Sequence, residues 1–150
     1  GLIQSPMFYI SAFFEQHREE YYQRLLSVSQ DNDWTGWCEF FLRAIMEQAM
    51  QNQKKATEIL TLYETKKNQI VDLTHSQYAI HALDYIFNNP TFKANDFKNS
   101  KDIPTETAKR ILIILRENGI LTILREASGR RPAVYIFGEL INAAEGKEII

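Results

Sequence analysis

At 150 residues the chain can form one domain or two small ones, and its 45% hydrophobic and 24% charged residues are ordinary for a globular protein. No uncharged apolar run approaches the ~20 residues of a membrane span, so no membrane partner is expected. A net charge of −2 argues against nucleic-acid binding by bulk charge alone, and a single cysteine, Cys38, forbids an internal disulfide and fits a reducing cytoplasm, the expected location. That thiol and three scattered histidines show no zinc-ligand spacing, so no metal site is expected.

In chain order, Pro6 biases Ser5 towards an extended conformation, and Met7–Phe14 is nearly all apolar. Ser11 is a candidate cap for a helix from about Ala12 to Val28, with Phe14, Tyr21, Leu25 and Val28 near one face. Gln30–Asp33 reads as a turn, with Asp33 as a cap for a helical pattern that runs from Trp34 to about Lys67, either as two helices or as a solvated bridge between domains, because its middle, Gln48–Lys55, is polar. Only Gly36 speaks against that pattern. Trp34, Trp37, Phe40 and Phe41 are expected as core, Cys38 as a buried inert thiol, and Lys54, Lys55, Lys66 and Lys67 as its wet side. So many aromatics in so short a stretch imply that the first half packs on something further.

Thr74-His75-Ser76 is read as the cap of a helix from Gln77 to about Asn88, with Ile80, Leu83, Ile86 and Phe87 inward. Phe92-Lys93 then reads as a short strand, and Asn95–Ser100 as a short helix anchored by Phe97. Pro104 suits a first helical turn, after which Ala108, Ile111, Leu112 and Leu115 form the stripe of a helix buried on one side. Asn118-Gly119 stops it, because glycine takes the left-handed conformation a helix end requires. Ile120–Arg125 and Ala133–Phe137 have strand composition, and Ala127–Arg131 between them is a turn with two arginines. Gly138–Ala144 reads as a last short helix.

Helix, strand, helix, turn, helix, strand, basic turn, strand is the pattern of a winged helix-turn-helix. The predicted fold is mainly α, with a first domain over 1–73 and a winged helix with a small β-wing over 74–150. Lys98–Arg131 carries 8 basic against 4 acidic side chains, so the positive field falls on that second part. The DNA-binding candidates are Thr105, Thr107, Lys109 and Arg110 on the recognition helix and Arg125, Arg130 and Arg131 at the wing. The plain alternative is a solvated helix face and a hairpin tip charged for solubility, and Glu106 counts against phosphate contact. Arg116 and Glu117 read as simple surface charges.

Residues 6–42 contain P-M-F-Y-I-S-x-F-F-x-x-H-R-x-x-Y-Y-x-x-L-x-x-V and then D-N-D-W-x-x-W-x-x-F-F-L. This resembles the C-terminal helices of Fic-domain proteins, with Ser11, Arg18, Tyr21, Tyr22, Asp33, Trp34, Trp37 and Phe41 in that family's order and spacing. Many Fic proteins carry a winged helix after this segment, which residues 75–145 resemble. The resemblance implies a parent that transfers AMP from ATP to a target protein, with Mg²⁺, in a bacterial cytoplasm. The family's His-Pro-Phe-x-(Asp/Glu)-Gly-Asn-Gly-Arg loop is not in this sequence. The chain is therefore expected to be a non-catalytic C-terminal fragment with no cofactor of its own. Its expected partners are duplex DNA, the parent's protein target and a second copy. The alternative is that the winged helix is a docking or dimerisation module that never touches DNA.

Overall fold

A computed structural model of the protein describes residues 10–149. The extended start expected at Ser5-Pro6 and the first residues of the apolar run lie outside the described residues. The chain is mainly helical with one small three-stranded antiparallel sheet. It divides into two compact units, one ending at Lys54 and the next beginning at Lys55.

The first unit holds α1 (Ile10–Gln16), α2 (Arg18–Asp31) and the first part of α3 (Trp34–Thr74). The single helix expected over Ala12–Val28 is two helices, and Ser11 lies inside the first rather than capping it. The break is at His17, whose backbone leaves helical geometry at φ −111°, ψ 37°. Its ring stacks on Phe13 at 4.1 Å and its Nδ1 meets the Phe13 carbonyl at 3.0 Å. Phe13, Phe40 and Ala44 are buried, with Ile10, Phe14, Tyr21 and Trp37 packed around them.

Asp33 caps α3 as its residue type predicts: its carboxylate accepts the Gly36 N–H at 2.9 Å. Gly36 is explained by the same contact. A Cβ there would lie 2.3 Å from Asp33 Oδ2 and 2.7 Å from Arg24 Nη1, so a side chain would displace the capping carboxylate and the guanidinium from these positions. Three expectations for the aromatic face, at Trp34, Cys38 and Phe41, are corrected. Trp34 is 58% exposed, because its indole N–H is turned out to Asn32 Oδ1 at 2.9 Å. Cys38 is also exposed, one position round the helix from Trp37, so it is not a buried thiol. Phe41 and Leu25 are exposed too.

The second unit begins with the rest of α3, which runs on to Thr74 rather than stopping near Lys67. Ile59, Leu62, Tyr63, Ile70 and Leu73 of α3 pack into this unit's core. The division therefore falls well before the 73/74 boundary expected from sequence. Lys66 lies on that inward face and is buried, contrary to its assignment to the wet side; its ammonium reaches Glu139 Oε1 at 2.6 Å. Thr74 does not cap the next helix. It is the last residue of α3, buried, with its hydroxyl donating to the Ile70 carbonyl at 2.7 Å. Ser76 does the local work instead, its Oγ accepting the Tyr78 N–H at 3.2 Å.

α4 (Ala79–Asn88) buries Ala79, Ala82, Leu83 and Ile86, while Ile80, expected inward, is exposed. β1 (Thr91–Lys93) and α5 (Ala94–Lys98) follow, with Phe97 fully buried. α6 (Thr105–Glu117) buries Ala108, Ile111, Leu112 and Leu115, the stripe that its spacing predicts. Pro104 stands just outside it as the capping residue. Gly119 takes φ 71°, and past it the N–H groups of Ile120 and Leu121 both donate to the Leu115 carbonyl, at 2.9 and 3.2 Å. After that tight reversal come β2 (Thr122–Arg125) and β3 (Val134–Ile136). The sheet order is β1-β3-β2, all antiparallel. α7 (Gly138–Glu145) closes the unit with Leu140 in the core.

Candidate nucleic-acid interface

The register of the sheet decides where the basic side chains of the hairpin go. Phe92, Tyr135 and Ile123 lie opposite one another across the three strands, so they share one face. Phe92 and Tyr135 stack at 6.0 Å, and this row joins the core. Lys93, Val134 and Arg125 form the next row, which points to the other face. The register shifts between Ile123 and Arg125, which leaves Leu124 unpaired and 59% exposed. Arg125 therefore stands on the opposite side of the ribbon from the Tyr135 row.

Arg130 and Arg131 sit in the turn between β2 and β3, where Gly129 takes φ 55° and Ser128 and Arg131 exchange backbone hydrogen bonds at 3.1 and 2.9 Å. Both arginines are exposed. They line a cleft of about 440 Å³ together with Lys98 at the end of α5 and Arg116 in the last turn of α6. Ile123, Ala133 and Tyr135 form its floor, and Glu126 is the one carboxylate on its wall. Ala94 holds the α5 side against the sheet, its N–H donating to the Ala133 carbonyl at 2.9 Å.

The first turns of α6 are different. Thr105 and Lys109 are exposed and Thr107 is half-buried. Lys109 pairs with Glu106 within the helix at 2.6 Å. Arg110 turns back to the end of α3, where its Nη2 donates to the Thr74 carbonyl at 3.2 Å. A cation at a helix C-terminus is favourably placed against the carbonyl ends, so Arg110 holds α3 to α6. The expected recognition-helix group is thus split: Thr105 faces water, Thr107 is half-buried, Lys109 is paired and Arg110 bonds to the end of α3.

Lys98 and Arg116 were not among the expected site residues. Arg116 does contact Glu117, but at 3.6 Å and in an exposed pair, which contributes little. The signal in the sequence was the positive balance of Lys98–Arg131 as a whole, since both residues lie inside that segment. Local pattern could not show that the ends of two helices and one turn meet.

Among the described residues no group of three or more His, Cys, Asp or Glu is placed to hold a metal ion, and no helix is long and apolar enough to cross a membrane. Two tyrosines titrate high. Tyr63 is raised by its hydrogen bond to Asp84 (2.7 Å) and Tyr85 by burial against Phe92 and Phe97, with Asp96 adding to it. Neither faces the basic cleft. No protein-family model matches the chain.

Proposed function

We propose that residues 74–150 are a winged helix-turn-helix that binds duplex DNA, and that the chain is the C-terminal part of a Fic-family protein. On this reading the parent is a protein AMP-transferase, and the winged helix serves regulation through DNA or brings a target to the parent's active site. The observation that carries the DNA reading is the separation of charge in the second unit. Arg125, Arg130 and Arg131 make no side-chain hydrogen bond or ion pair among the described residues, and they stand on the only hairpin of a helix–strand–helix–helix–strand–strand unit. Guanidinium groups free of carboxylates on a projecting turn are suited to phosphate oxygens.

The competing reading, a protein-docking or dimerisation module, draws on α6 itself. Its early cations are engaged by Glu106 and Thr74, and Ile113 on its outer side is 48% exposed. Such a face suits a protein partner better than a phosphate backbone.

Fluorescence anisotropy with labelled duplex DNA separates the two. The DNA reading expects saturable binding at about 50 mM salt that weakens steeply by about 200 mM and is lost when Arg130 and Arg131 are both changed to Ala. A concentration-dependent mass, with no duplex binding, would give the unit to docking instead.

A further inference from the structure

The basic cleft lies away from the start of α6, where a helix-turn-helix is expected to read DNA. Its cations come from three separate elements: Lys98 from α5, Arg116 from α6, and Arg130 and Arg131 from the β2–β3 turn. Glu126 lines the same cleft, and Glu117 lies beside Arg116. The floor of Ile123, Ala133 and Tyr135 is held in place by the core row of the sheet, so the cationic walls stand on rigid elements. The first turn of α6, in contrast, offers no cation without an internal partner.

We infer that the phosphodiester backbone of duplex DNA seats in this cleft, gripped between the β2–β3 turn and the ends of α5 and α6, and that the first turn of α6 contributes little to the affinity. This rests on the DNA-binding reading and changes which residues carry it. The forks of Arg116, Arg130 and Arg131 take phosphate oxygens in pairs, and Lys98 supplies a point charge to the same strand.

The test uses the full chain and a labelled 30-base-pair duplex of mixed sequence, with affinity measured across a salt series. Each phosphate contact contributes about 0.9 to the slope of log K against log salt. The Lys98→Ala/Arg116→Ala variant is expected to flatten the slope by about 2 on that scale. Thr105→Ala/Lys109→Ala is expected to leave slope and affinity close to those of the unaltered chain. Glu126→Gln is expected to bind severalfold tighter, a gain that misfolding cannot imitate. Binding by the unaltered chain with a slope indifferent to Lys98 and Arg116, or no gain from Glu126→Gln, would overturn the cleft while leaving DNA binding standing. No binding by the unaltered chain at about 50 mM salt would overturn both.

Discussion

Before Lys55 the buried hydrophobic side chains among the described residues are Phe13, Phe40 and Ala44; after it, nineteen share a single core. The first unit is no less apolar in sequence. Its large apolar side chains are on the outside: Tyr22, Leu26, Trp34, Leu42, Met46 and Met50 are each more than half exposed. Burying the two phenylalanines supplies on the order of 5 kcal/mol, while each ordered residue costs about 1–2 kcal/mol in backbone entropy. The second unit meets that cost with interlocked helices and a sheet. The first relies on ring contacts and on pairs such as Arg43 with Glu20 at 2.6 Å. Exposed apolar surface of this kind is what a further protein surface would cover. The difference teaches that two stretches of equal hydrophobicity can be unequal as folding units, because burial depends on how many elements close around a side chain.

The widest test of that contrast is truncation in each unit. Phe97→Ala empties the centre of the second core and is expected to cost about 3–5 kcal/mol, whereas Leu26→Ala on the outside of α2 is expected to change stability by less than about 0.5 kcal/mol. Chemical denaturation followed by circular dichroism reads both. Equal losses would mean that Leu26 is covered in solution, and the comparison of the units would fail.

A smaller effect is expected at Gly36. Adding a methyl there drives into Asp33 and Arg24, and loss of the cap is expected to cost about 1–2 kcal/mol despite alanine's better helix propensity. Thermal melting of Gly36→Ala checks this. A stabilised variant would show that the Asp33 cap is dispensable, and that helix propensity governs the first unit.

The smallest expected effect concerns pH. Tyr63 has its folded-state pKa raised above the ordinary 10.0, first by donating to Asp84. Its contribution is therefore fully present below pH ~10 and is lost as pH rises through the higher folded value. In Tyr63→Phe this alkaline loss is expected to shrink, with no change in pH dependence at neutral pH. Urea midpoints at several alkaline pH values would show it, and identical profiles for the two proteins would remove Tyr63 from the account.

Much of the second unit is legible residue by residue. The stripe Ala108, Ile111, Leu112, Leu115 and the stop at Gly119 need only a 3.6-residue period and one left-handed position. The strands announce themselves by composition, and Asp33 announces a cap. The two interruptions read least well are the break at His17 and the end of α3. Nothing in the local pattern distinguishes His17 from its neighbours; its ring stack on Phe13 accompanies a backbone that has already turned. α3 continues past Lys67 because Ile70 and Leu73 have a core to enter, and that core is built by residues far along the chain. The place of Arg130 and Arg131 in a turn between two strands is legible from the sequence. The hydrogen bond of Arg110 is not legible along the chain, because its partner, the Thr74 carbonyl, lies in a different helix.

The sequence by itself determined which segments are helix and strand in the second half, where the chain reverses, and that positive charge gathers over Lys98–Arg131. These follow from interactions between residues a few positions apart. The tertiary structure alone decided that Lys66 is buried against Glu139, that Trp34 faces out, that Arg110 belongs to the scaffold, and that Lys98 and Arg116 join Arg130 and Arg131 around one cleft. Each of these depends on elements distant in sequence meeting in space, and periodicity along a single element carries no information about that meeting.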